Sequence, residues 1–159
     1  MIDLFQKFNE EQAEILVDSI PLITILIAGA DGNIDEDERT WGEKLTKIRS
    51  YSYPELLNDF YKRVGETYSE KMDAYIASLP KETDARTAAV SEKLEKLNGM
   101  LAQLDQHDGH TIYKSLTSFA EHVAKASGGF LRIGAISSAE AKLINLPMLT
   151  PIEEPEEEA

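Results

Sequence analysis

The most apolar window of the chain runs from Pro21 to Ala30, and its length decides what it can be. Ten residues are too few for a membrane-crossing helix, which needs about 20. Within it, Leu22 to Ala28 is apolar on every side, and a helix of that kind belongs at the centre of a bundle. Everything else in the sequence reads as material to surround it.

The surrounding segments carry helical periodicity. Asn9 and Gln12 form a capping box that opens a helix with Ala13, Leu16, Val17 and Ile20 on one face. Pro21 suits a first helical position, so a break is expected between this helix and the next. After the turn at Asp31-Gly32, Asp35 and Glu38 make an acidic capping box. The helix they open places Trp41, Leu45 and Ile48 together. Ser52 and Pro54 open a long helix with the stripe Leu57, Phe60, Tyr61, Val64, Tyr68, Met72, Tyr75, Ile76 and Leu79, and Pro80 closes it. From Thr83 a further helix repeats Val90, Leu94, Leu97, Leu101 and Leu104 at spacings of four and three, a seam of barely two heptads. Such a seam reads first as a contact within the bundle and second as a homodimer face. A break at Gly109, a cap at Thr111 and the face Ile112, Leu116, Phe119, Val123 follow. After Gly128-Gly129 and an apolar stretch, Ser137 and Glu140 cap a short last helix. No segment alternates like a strand. The expectation is an all-α, single-domain bundle of about six or seven helices over residues 1–148. Residues 149–159 read as an acidic disordered tail.

The 159 residues contain no cysteine, which excludes disulfides, thiolate metal sites and a cysteine nucleophile. A net charge of −13 argues against nucleic acid and anionic lipid as partners and favours divalent cations and basic proteins. Met1 to Lys7 lacks the basic and apolar regions of a secretory signal, so a cytoplasmic location is expected, with no direct membrane insertion. There is no Gly-x-Ser-x-Gly elbow and no phosphate-binding glycine loop, and a non-enzymatic role follows.

One turn carries a functional expectation. Asp31, Asn33, Asp35 and Glu38 crowd oxygen ligands between two core helices, a set that suits a hard cation such as calcium or magnesium. It is not an EF-hand: a twelve-residue loop from Asp31 would put Glu36 where the glycine belongs and Gly42 where the bidentate glutamate belongs. The competing reading is a turn with ordinary helix caps, whose carboxylates favour the helix N-terminus. A second cluster, Asp105, His107, Asp108 and His110, has transition-metal ligand types but sits in an expected loop.

The run Ala30-Asp31-Gly32-Asn33-Ile34-Asp35-Glu36-Asp37-Glu38 resembles the acidic motif of the tellurite-resistance TerB-like family. That resemblance implies an all-helical domain of two pseudo-repeats, divalent-metal binding, and a place in an envelope-associated stress-response complex. The second half departs from the pattern: Ser127 stands where an aspartate is expected, and Glu140 alone keeps an acidic side chain. The alternative function is a metal-independent interaction or homo-oligomerisation module, its contact surface the Val90–Leu104 seam or the stripe Tyr61, Tyr68, Tyr75.

Overall fold

A computed structural model describes residues 4–30, 32, 34, 36–52, 55–126 and 138–156. All regular structure among these residues is helical. A short 3-10 turn, Leu4–Lys7, precedes α1 (Glu10–Ala28), α2 (Glu36–Ser52), α3 (Glu55–Ser78), α4 (Thr83–Leu101), α5 (Gln106–Ala126) and the four-residue α6 (Ser138–Ala141). The all-α bundle is therefore as expected, with five long helices where six or seven were anticipated.

The difference in number begins at Pro21. It lies inside α1, which runs through without a break. A proline in a helix interior costs about 3 kcal/mol. Every residue from Leu16 to Ala28 is buried. Each fully buried leucine or isoleucine contributes roughly 1.5–3 kcal/mol, so packing outweighs the lost hydrogen bond. Asn9 opens α1 with the expected reciprocal box: its side chain accepts from the Gln12 amide at 2.8 Å, and its own amide donates to Gln12 Oε1 at 3.1 Å. The helix then passes through the middle of the molecule and packs against α2, α3, α4 and α5.

The outer helices bury the stripes read from sequence. On α3, Leu57, Phe60, Tyr61, Val64, Tyr68 and Met72 are buried, with Tyr75 and Ile76 half-buried. On α4, Val90, Leu94, Leu97 and Leu101 are buried within the same core. The heptad seam is thus an internal contact, spent on α1 and α5 rather than displayed. On α5, Ile112, Leu116, Phe119 and Val123 are buried.

α4 begins at Thr83, as read from sequence, and Glu82 caps it, its carboxylate accepting from the amides of Asp84 and Ala85 at 3.1 and 2.7 Å. One boundary differs from the sequence reading. The break before α5 falls at residues 102–105, so Gly109 and Thr111 lie inside the helix. Asp105 supplies its N-terminal bond, Oδ1 accepting from the Asp108 amide at 2.8 Å. Gly109 tolerates this because a Cβ there would sit 3.2 Å from the Leu101 carbonyl oxygen; the glycine permits the close approach of α4 and α5. The glycine pair at 128–129, the apolar stretch 130–135 and the cap at Ser137 lie outside the described residues.

Candidate functional site

The α1–α2 junction is built by a glycine turn braced from α4. The Gly29 amide closes α1 on the Ile25 carbonyl at 2.9 Å, and the Gly32 amide returns to the Gly29 carbonyl at 3.0 Å. Gly32 has φ +107, a conformation that only glycine adopts cheaply, which explains Asp-Gly at this point. A buried arginine that sequence reasoning passed over completes the junction. Arg86 of α4 donates from Nη2 to the Gly29 carbonyl at 2.9 Å. A fixed positive charge therefore stands at the carbonyl end of α1, where the helix dipole favours it. A Cβ on Gly29 would lie 2.7 Å from that guanidinium, so glycine is required there for contact.

Of the four expected ligands, Asp31, Asn33 and Asp35 lie outside the described residues. Glu38 is described. It sits in the first turn of α2 and is only 2% exposed. The half-buried Ile34 packs on the core between turn and helix. Glu140, the acidic residue kept in the second half of the chain, is also 2% exposed.

The rest of α2 turns an unexpected face inward. Its buried residues are Glu38, Gly42, Leu45, Thr46 and Arg49, whereas Ile48 is 39% exposed and Tyr51 70% exposed. The expected grouping of Trp41, Leu45 and Ile48 is therefore corrected to a mostly polar inner stripe. It is held by specific partners. Arg49 Nη1 donates to the Tyr61 hydroxyl at 2.8 Å and to the Ser115 carbonyl at 2.9 Å, and Nη2 donates to Ser118 Oγ at 2.6 Å. Its guanidinium also lies 5.5 and 5.6 Å from the ring centroids of Tyr61 and Phe119.

A second polar group joins α1 to α3. Tyr75 donates to Asp18 Oδ2 at 2.7 Å, and Lys71 Nζ stands 2.9 Å from Asp18 while also pairing with Glu14. Burial, and then Asp18, pushes the Tyr75 hydroxyl up to about 12. Burial alone would lower the Lys71 ammonium, but Glu14 and Asp18 outweigh it and raise it. It ties the two helices together beside a small cavity of about 80 Å³ that Asp18 and Tyr75 help to line.

The expected Asp105–His110 cluster divides. Ligand atoms of Asp105, His107 and Asp108 lie within 4.8 Å of one another near the surface. His110 points elsewhere, its Nδ1 2.6 Å from the Ile152 carbonyl. An open groove of about 450 Å³ separates α2 from α5, lined by Trp41, Lys44, His122 and Lys125 among others. There burial, and then the charges of Arg49 and Lys125, lower the His122 pKa. Among the described residues no helix is long and apolar enough to cross a membrane.

Comparison of the chain with family models, with characterised proteins and with solved structures gives no match.

Proposed function

We propose that this is a non-enzymatic, TerB-like helical domain that takes a divalent cation, calcium or magnesium, at the α1–α2 junction. The burial of Glu38 carries the reading. A glutamate at the third position of an ordinary capping box lies at the surface. Here it is only 2% exposed, and it follows Asp31, Asn33 and Asp35 closely in the chain. Crowded carboxylates repel one another, and a cation relieves that repulsion. Binding would then stabilise the junction of two core helices. The burial of Glu140 at the corresponding point of the second half agrees with a degenerate pseudo-repeat.

Thermal unfolding of the metal-stripped protein tests this. A cation at 100 times its dissociation constant should raise the melting temperature by about 5–10 °C. The rise should vanish in Asp31→Asn/Asp35→Asn. An equal rise in the double variant would reduce the turn to helix capping.

A second reading, a metal-independent protein-interaction module, is favoured by one observation. Ile48 and Tyr51, three residues apart on α2, are large apolar side chains left exposed. Aromatic residues are enriched at interfaces. The surfaces first expected for this role are largely spent in the core: Tyr61, Tyr68, Val90, Leu94, Leu97 and Leu101 are buried, with Tyr75 and Leu104 half-buried. Replacing Tyr51 with a charged residue, and measuring self-association and partner capture with and without cation, separates the two readings.

A further inference from the structure

One face of each of two helices frames the groove between α2 and α5. Asp37, Thr40, Trp41 and Lys44 share a face of α2, and His122, Lys125 and Ala126 share a face of α5. Trp41 is the only tryptophan in the chain. Helical spacing sends it inward with Leu45, yet it is half-buried and lines the groove. A flat aromatic surface is thus left open to a ligand, in a cavity of about 450 Å³.

The groove is also cationic on an anionic protein. The chain has a net charge of −13, but Lys44 and Lys125, both exposed, stand on the two walls. The Arg49 charge is felt there as well: after desolvation, it is the largest cause of the lowered His122 pKa. Against these cations stand Asp37 among the lining residues and Glu121, which pairs with Lys125 at 2.9 Å. That balance attracts a monoanion rather than a polyphosphate. With its pKa lowered, the His122 ring is neutral at pH 7 and offers one hydrogen-bond donor and one acceptor. The neighbouring groove between α2 and α3 is larger, at about 670 Å³, but lacks this combination. There Glu43 and Glu66 offset Lys47 and Lys62, and the aromatic at the wall, Tyr61, has its hydroxyl engaged by Arg49.

We propose that the α2–α5 groove binds a small planar aromatic carboxylate, with its ring against Trp41, its carboxylate between Lys44 and Lys125, and a hydrogen bond from His122. The cavity volume falls in the range of small-molecule sites, about 300–1,000 Å³, and an aromatic surface with a few convergent polar groups is the composition such sites share. The site requires no cation at the α1–α2 junction.

The test is an NMR titration of the full chain at pH 7, with a chelator present, using 2-naphthoate as the probe. The single tryptophan gives a single indole N–H signal, which reports this groove alone. It should move saturably, with a dissociation constant of about 1 mM or below. 2-Naphthamide, which lacks the charge, and cyclohexanecarboxylate, which lacks the aromatic ring, should each bind at least about ten-fold more weakly. So should 2-naphthoate to Lys44→Met/Lys125→Met, whose altered side chains are exposed and leave the fold intact. Saturating 2-naphthoate should also make His122 titrate at higher pH, because a bound anion favours the imidazolium. No saturable movement of the indole signal, equal binding of either analogue, equal binding to the lysine variant, or an unmoved His122 titration overturns the proposal.

Discussion

Arg49 and Tyr61 meet in the core at 2.8 Å, guanidinium to hydroxyl, on helices that adjoin each other in the chain. The arginine reaches past Tyr61 to Ser115 and Ser118, so one side chain ties α2, α3 and α5 together. Arg49→Met should destabilise the protein by about 3 kcal/mol, because it strips charge-assisted bonds from buried hydroxyl and carbonyl groups. Arg49→Lys should restore little, since an ammonium cannot span Tyr61 and Ser118 as the fork does. Urea unfolding of the three proteins measures both. A methionine variant as stable as the parent would remove Arg49 from this role.

Gly42 and Tyr68 make a tighter contact. A Cβ at Gly42 would lie 2.5 Å from the Tyr68 oxygen and 3.2 Å from Thr24 Oγ1. On an exposed helix, glycine to alanine would gain about 1 kcal/mol. Here Gly42→Ala should lose about 1–3 kcal/mol through overpacking. Adding Tyr68→Phe should recover part of that loss, giving a non-additive pair in a double-mutant cycle.

The alkaline limit should report the same tyrosine. Burial pushes the Tyr68 hydroxyl up to about 12, so the folded state keeps its proton after the unfolded chain has lost it near pH 10. Its contribution is fully present below pH 10 and fades as pH rises through about 12. By pH 12 the loss is about 2 kcal/mol. Tyr75 and Lys71, both raised, act in the same direction. Stability measured by urea unfolding from pH 9 to 12 should fall, and Tyr68→Phe should flatten the fall.

Much of this architecture can be read from the residues alone, and the places where that reading fails share a cause. The stripes on α3, α4 and α5 follow period and hydrophobicity, and they pack as written. The capping box Asn9–Gln12 is local chemistry and needs no tertiary knowledge. Pro21 misleads because its cost is local while its compensation, burial on every side, is not. Ile48 and Arg49 exchange places because hydrophobicity ranks isoleucine inward, whereas Tyr61 on the next helix and Ser115 and Ser118, 66 and 69 residues along the chain, together solvate an arginine. Arg86 is hidden for the same reason: its partner, the Gly29 carbonyl, is 57 residues away. The contacts that Asn98, Gln106 and His110 make with the main chain of residues 148–153 give no signal either, since their partners lie 42 to 52 residues further along the chain. At the α1–α2 junction, sequence marks the acidic turn, and the inward position of Glu38 is what the fold adds.

The most direct measurement is a calorimetric titration of calcium, and separately magnesium, into the metal-stripped full chain. Asp31→Asn/Asp35→Asn and Glu38→Gln are titrated alongside. The account predicts one saturable site per chain, weakened by about ten-fold or more in both variants. No binding of either ion, or binding of equal strength in all three proteins, would contradict it.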